Sequence, residues 1–318
     1  MQNIRLLLLG LMKSELVRRS KQTSTQLSQY EQHDWQISGA NLSDFVAEGG
    51  HWYDKDGKPA YTQVTASGKN KGQERPTTIR DARKQNLVPS VTTITSILDK
   101  PALTHWKISR AIHVLTWDIY NWMRDKGVPA SISAAFKLAF KAHQPDMEDK
   151  AGRGSEIHAA LEQWVQGKKY KAEFQPYIDI LIGVLDDLDL HKKYAVAERS
   201  FTATEGYGGA VDLSFTVGGG VIIDFKTKDM YEHEGKLYTN KGKEIKQIAY
   251  DEHVMQLAAY RRGLGLPTAK VYNLFLSRDN PSVYKLVEWA EHEVEWGDAA
   301  FMSVFEAWKL LKRYYPNG

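Results

Sequence analysis

Apolar side chains along this chain change their spacing several times, and each change marks an element. After Gly152-Arg153-Gly154, residues Ile157, Leu161, Trp164 and Val165 fall at i, i+4, i+7 and i+8, the buried stripe of an amphipathic helix. His158 and Glu162 share the face beside that stripe. Residues Ala210 to Val217 alternate instead. Val211, Leu213, Phe215 and Val217 lie on one side and Asp212, Ser214 and Thr216 on the other, which predicts a strand. Gly218-Gly219-Gly220 then supplies a turn, and Val221 to Thr227 reads as the returning strand. Its Val221-Ile222-Ile223 run is apolar throughout, as in a central strand covered on both faces.

Upstream, Ala195 to Thr202 reads as a further strand. Ser90 or Thr92 can cap a helix in which Ile94, Ile97 and Leu98 repeat before Pro101 restarts the chain. Residues 102–142 read as two helices separated by Gly127-Val128-Pro129, and Asp54-Lys55-Asp56-Gly57-Lys58 as a hairpin turn. Ser67 to Lys84 holds six basic residues (Lys69, Lys71, Arg75, Arg80, Arg83, Lys84) against Glu74 and Asp81. It is either a mobile basic loop that touches phosphates or an ordinary solvated loop.

The chemistry sits on the hairpin. Pairing Val217 with Val221 sets Asp212 opposite Lys226 and Ser214 opposite Asp224, so that parity gathers Asp212, Asp224 and Lys226 on one face. Asp212 and Asp224 are then diagonal neighbours at roughly 7–8 Å between backbones, close enough for both carboxylates to converge on one cation. Hard oxygen ligands select Mg²⁺ or Mn²⁺, and Lys226 supplies a point charge for a phosphate oxygen. The alternative is a solvated Asp–Lys cross-strand pair worth at most about 1 kcal/mol, and the hairpin alone leaves both readings open.

Composition narrows the field. A chain of 318 residues with 42% hydrophobic content, nine tryptophans and sixteen tyrosines has the material for a substantial core. A formal charge of +3 is too small to identify a polyanionic partner, so any nucleic-acid contact must come from local patches. The lack of cysteine excludes disulfides, thiolate zinc sites, cysteine nucleophiles and a cysteine-ligated iron–sulfur cluster. No GxxxxGK[ST] segment is present, so no ATP site is expected. The apolar run Leu6 to Met12 is too short to span a bilayer, and no membrane partner is expected. The first thirty residues are basic and read as an amphipathic helix, with an organelle transit segment as the alternative.

Taken in order, Gly154-x-x-x-His158, Glu198, Gly209-x-x-Asp212, Asp224-Phe225-Lys226-Thr227 and Gln256-x-x-x-Tyr260 resemble the motifs of RecB-type PD-(D/E)XK nucleases. Pro89-Ser90-Val91-Thr92-Thr93-Ile94, followed by Lys100-Pro101-Ala102-Leu103, further resembles the phage and mitochondrial exonuclease branch of that group. The resemblance implies an α/β fold: a PD-(D/E)XK (restriction-endonuclease-like) core with a central mixed β-sheet flanked by helices. An N-terminal helical and loop elaboration would occupy residues 1–85. The nuclease domain would occupy residues 86–318, divided into a helical part (90–150), a catalytic core (151–290) and a C-terminal helix (296–314).

The resemblance also implies roles. His158, Asp212, Asp224 and the Phe225 carbonyl would hold Mg²⁺ or Mn²⁺, and Lys226 would orient or activate the attacking water. Glu198 would approach a second ion or orient a ligand, unless it is a salt-bridge partner. A lone histidine beside an apolar stripe is otherwise structural, and Tyr260 would otherwise be a core aromatic. Gln256 and Tyr260, one turn apart, would face the site and the DNA, with Ser90, Thr92 and Arg261 as further DNA contacts and Lys246 and Arg262 adding phosphate contacts from the same helix. Trp106, Trp117 and Trp122 are candidates for base stacking or for the core.

The implied activity is exonucleolytic hydrolysis of DNA ends or single strands, in replication, recombination or repair. A structure-specific endonuclease or a non-catalytic DNA-binding module on the same core are the alternatives. A helicase, recombination or single-strand-binding protein would be a separate partner. The implied location is the cytoplasm of a bacterial or phage-infected cell, with the mitochondrial matrix as alternative.

Overall fold

In the computed structural model, which describes residues 50–98 and 152–316, the alternating and apolar stretches form five neighbouring strands. These are Ala195–Thr202 (β5), Gly208–Phe215 (β6), Val221–Lys228 (β7), Lys270–Ser277 (β10) and Tyr284–Glu288 (β11). Their order is β11-β10-β7-β6-β5, antiparallel except for the parallel pair β7 and β10. A parallel pair needs a crossover. Here residues 229–269 provide it, with the hairpin Met230–His233 (β8) and Lys236–Thr239 (β9) and the helix Asp251–Gly263.

Helices cover the sheet on two faces. The helix over residues 152–165 and the helix Gln175–Asp187 bring Ile157, Leu161, Ile178 and Leu181 against Leu213, Phe215, Ile223 and Leu274. On the other face Ala258, Phe301, Phe305 and Trp308 pack with Val211, Ile222 and Val271. Among the described residues the α-helices, in chain order, are α1 (Ile79–Gln85), α2 (Val91–Thr95), α3 (152–165), α4 (Gln175–Asp187), α5 (Asp251–Gly263) and α6 (Glu291–Lys312). A five-stranded mixed sheet flanked by helices is the expected α/β class. No helix among the described residues is long and apolar enough to cross a membrane.

Four expectations need adjustment. The boundary expected between residues 85 and 86 falls inside one compact unit that begins at Gly49. Strand β1 (Trp52–Tyr53) pairs with β4 (Val88–Pro89), and Trp52 and Ala82 belong to the same core as Phe301. The basic segment is not a loop throughout: β2 (Thr62–Val64) pairs with β3 (Glu74–Pro76), and α1 carries Arg80, Arg83 and Lys84. Arg75 is bonded to both oxygens of Asp81 at 2.6 and 2.8 Å. The last helix starts at Glu291 rather than 296, because the Glu293 side chain accepts from the Ala290 amide at 2.9 Å and fixes the first turn there.

The fourth adjustment concerns the hairpin. Phe215, not Val217, pairs with Val221, so the register shifts by two residues and Ser214 faces Ile222 rather than Asp224. The cause is the turn. Gly218, Gly219 and Gly220 all have positive φ, at 62°, 89° and 94°, and the Gly220 amide donates to the Val217 carbonyl at 3.1 Å. This folds Thr216 and Val217 into a longer loop. An even shift preserves parity, but the strand also turns at Asp212: Val211 packs in one core and Leu213 in the other, where simple alternation would give them a shared face.

The Asp54 turn forms, with Gly57 at φ 78° and the Asp54 carboxylate accepting from the amides of Asp56 and Lys58. Residues 102–142, the Lys100 to Leu103 segment, the three tryptophans Trp106, Trp117 and Trp122 and the N-terminal helix lie outside the described residues.

Candidate active site

Beyond the Leu213–Ile223 pair, β6 and β7 part. In the gap the Asp212 Oδ2 atom accepts a hydrogen bond from the Phe225 amide at 2.6 Å, so a side chain takes the place of a ladder carbonyl. Strand β5 is irregular at the same level. Glu198 has φ 49° and stands between the pairs Ala197–Leu213 and Arg199–Val211. A left-handed glutamate costs on the order of 1–2 kcal/mol. Its side chain lines a cavity of about 380 Å³ together with Gly154, His158, Glu162, Thr227 and Arg278.

Helix α3 reaches this cavity because of Gly154. A Cβ there would stand 2.6 Å from Thr227 Oγ1, so only glycine lets the helix come so close to β7. One turn later His158 Nδ1 lies 3.8 Å from Asp212 Oδ2, with its ring edge-on to Phe225. Glu162 follows after another turn.

Asp224 and Lys226 share a face of β7 and are built into a polar chain on the α5 side. Asp224, 3% exposed, receives Lys226 Nζ at 2.7 Å and Asn273 Nδ2 at 2.8 Å, both on Oδ2. Asn273 Oδ1 in turn accepts from Trp289 Nε1 at 2.8 Å. Lys226 Nζ also donates to Gln256 Oε1 at 3.0 Å, and Gln256 Nε2 to the Tyr260 hydroxyl at 2.6 Å. Gly209 makes room for that tyrosine, since a Cβ would meet Tyr260 Cε1 at 2.8 Å.

The charges are out of balance. Burial, followed by the neighbouring Asp212, raises the Asp224 carboxyl, with Lys226 working the other way. Burial would lower Lys226, but Asp224 and Asp212 outweigh it and hold the ammonium charged. Burial would likewise lower His158, and Asp212 outweighs that too, so its imidazole is raised. Glu198 has solvent access, yet enough protein surrounds it that burial, followed by Asp212 and Glu162, pushes its carboxyl up to about 7. Glu162 and Glu198 line the cavity with His158, while Asp212 and Asp224 act on Lys226, and Arg278 at the cavity wall is engaged by Asp229 at 2.6 Å.

Carboxylates that repel one another, with an imidazole beside them, are the set a hard divalent ion relieves. Asp212 and Asp224 each use Oδ2 inside the protein, and among the described residues neither Oδ1 takes a hydrogen bond. The donor chemistry thus fits such an ion. The shell is not preformed, however: among the described residues no three His, Asp or Glu side chains stand gathered in ion-holding positions.

Other expected contacts are placed elsewhere. Ser90 is buried, caps α2 by accepting from the Thr93 amide at 2.9 Å and bridges to Gly208, while Thr92 is exposed beside it. Arg261 is 8% exposed and bonded through both terminal nitrogens to Glu291 at 2.8 Å, so its guanidinium serves the α5–α6 contact rather than a phosphate. Arg262 is likewise held by Asp298 and Glu205. Lys246 precedes α5 and is not part of it, since the helix begins at Asp251 with the Tyr250 amide bonded to His253 Nδ1.

Further residues take part that the sequence expectations do not include. Asn273 had a legible signal as the single polar residue in the run Val271 to Leu276. Tyr53 and Tyr61, whose hydroxyls meet at 2.6 Å, had none. Their pKa values are raised by burial first and also by the charge of Glu198.

No family model and no curated protein matches the chain. Among solved structures, it is similar to a presumed exonuclease from Eubacterium rectale at 11% identity and TM-score 0.35, over 52% of this chain and 73% of that one. It is also similar to a protein called SSO0001 at 14% identity and TM-score 0.29, over 63% of this chain and 74% of that one. Superposition this loose leaves the fold to be judged on the sheet and side chains themselves.

Proposed function

We propose that the chain is a metal-dependent DNA nuclease of the PD-(D/E)XK type, an exonuclease acting on DNA ends or single strands. The observation that carries this reading is the two contacts His158–Asp212 at 3.8 Å and Lys226–Asp224 at 2.7 Å, the aspartates lying on neighbouring strands where β6 and β7 part. His158, Asp212 and Asp224, with the Phe225 carbonyl, would hold Mg²⁺ or Mn²⁺, which when bound supplies Lewis acidity toward a phosphate oxygen and a lowered pKa for water.

The chain's own groups do the rest. The Lys226 ammonium, held charged by two aspartates, donates to a phosphate oxygen or to the attacking water. Gln256 and Tyr260 fix its direction from α5, and Asn273 with Trp289 fixes Asp224. Glu198, poised near neutrality, takes or gives a proton at the cavity. DNA is the proposed partner, with any helicase or single-strand-binding protein a separate chain, and the cytoplasm the proposed location.

The test is to incubate the protein with 5′-labelled linear, 3′-labelled linear and circular single-stranded DNA, with Mg²⁺ or with EDTA. Cleavage of linear DNA only, abolished by EDTA, is the expected result. Cutting of circles makes the enzyme an endonuclease. Binding without cleavage makes it a non-catalytic module.

A further inference from the structure

Arginines in this chain meet carboxylates in two ways. Arg75, Arg261 and Arg262 each grip one carboxylate with two guanidinium nitrogens, bonding both of its oxygens. Such a fork satisfies both partners. Arg278 is held differently. Its Nε donates to Asp229 at 2.6 Å, and among the described residues its two terminal nitrogens make no hydrogen bond. The rest of the residue is fixed. Its amide donates to the Lys228 carbonyl at 3.0 Å, and its own carbonyl accepts from the hydroxyl of the buried Tyr177 at 2.9 Å. A planar fork oriented from behind and open in front is preset for an anion, because little side-chain freedom is left to lose on binding.

The open side faces the cavity. The Arg278 side chain is 21% exposed and lines the same space as His158, Glu162 and Glu198. That space is polarised along α3. Gly154 packs against Thr227 at one end, next to the Lys228 carbonyl that holds the Arg278 backbone. His158 follows one turn on, beside Asp212, and Glu162 another turn beyond, about 12 Å from Gly154 along the helix axis. A volume of about 380 Å³ is at the small end for a ligand pocket, room for a single nucleotide. A strand cut beside His158 and Asp212 therefore presents its neighbouring phosphate toward the other end, where the guanidinium stands.

We propose that Arg278 is a phosphate subsite: its two terminal nitrogens take the backbone phosphate next to the one being cut and so set the strand over Asp212 and Asp224. This rests on the nuclease reading above. Asp229 serves the subsite by aiming the guanidinium, and Tyr177 by holding the backbone beneath it.

The test follows cutting of an end-labelled oligothymidylate with Mg²⁺, product length identifying the bond that is cut. One neutral methylphosphonate is placed at the linkage on either side of that bond, or three linkages away. Arg278→Gln is expected to raise KM for the unmodified strand about tenfold or more, the size of a lost charged hydrogen bond, with kcat little changed. A methylphosphonate at one neighbouring linkage should weaken the unsubstituted chain equally, and there Arg278→Gln should add nothing. Three linkages away its full loss should return. Arg278→Lys, which keeps a cation for Asp229, should show the same pattern at smaller size. An unchanged KM in Arg278→Gln overturns the subsite, as does a loss of the same size on every modified strand. So does a fall in kcat and Tm with KM unaltered, the mark of a purely structural pair with Asp229. If the unsubstituted chain binds without cutting, the same substitutions are compared by anisotropy, and an Arg278→Gln affinity equal to its own overturns the subsite. If it neither binds nor cuts DNA, the nuclease reading itself fails and takes the subsite with it, a result separable from the others by that control.

Discussion

Two ends of one strand pair are built in opposite ways. From Phe215–Val221 to Leu213–Ile223, β6 and β7 are laddered, and Leu213, Phe215, Ile222 and Ile223 are buried on both faces. One residue further the ladder stops, and Asp212, Asp224 and Lys226 follow. Burying each large apolar side chain contributes about 1.5–3 kcal/mol, whereas an unpaired buried carboxylate costs several kcal/mol. The apolar end therefore holds in register what the charged end would push apart. Like charges stay close only because the backbone beneath them is already fixed.

Substitutions at the two ends should separate activity from stability. At the charged end, Lys226→Ala is expected to lower cleavage on the order of a thousandfold, and Asp224→Asn to abolish it, with DNA affinity measured by anisotropy little changed. Full cleavage by both variants would break the distinction. At the apolar end, Leu213→Ala should cost about 2–5 kcal/mol in denaturant unfolding, because it opens a cavity among residues with no exposure.

A smaller effect is expected between the two ends. Asn273→Leu keeps the volume but removes the hydrogen bond to Asp224, so the Mg²⁺ concentration for half-maximal activity should rise about 10- to 100-fold. Asn273→Asp, which returns an oxygen to Trp289 but adds a charge beside Asp224, should not rescue it. An unchanged Mg²⁺ requirement would show that Asp224 is held by Lys226 alone.

The smallest effect is a pH dependence. The Glu198 carboxyl at about 7 in the folded chain lies above its ordinary value of 4.5, so the folded state keeps a proton that the unfolded chain has released. Stability in EDTA should accordingly fall as pH rises from about 4.5 through 7, and the raised His158 adds a loss of the same sign above 6.5. Glu198→Gln should flatten the fall in Tm measured between pH 5 and 8. A Tm that rises over that range would contradict the assigned environment of Glu198.

Parts of this arrangement were legible because they depend on near neighbours. The i, i+4 spacing of Ile157 and Leu161 and the alternation through β6 are local signals, and both elements form, although the strand runs from Gly208 to Phe215 and stops short of Val217. Gln256 and Tyr260 share a helix face for the same reason. Arg261 looked equally available, yet whether an arginine meets a phosphate or Glu291 depends on α6, thirty residues away.

What the sequence determined by itself is the set of periods, the turn at Gly218-Gly219-Gly220 and the even spacing that keeps Asp224 and Lys226 on one face of β7. Tertiary structure alone decided the rest. The register slipped by two because three left-handed glycines lengthen the loop, and Asp212 turned into the gap because the Phe225 amide lacked a ladder partner there. Asn273 reached Asp224 through strand order, a contact between residues far apart in sequence that no local pattern encodes.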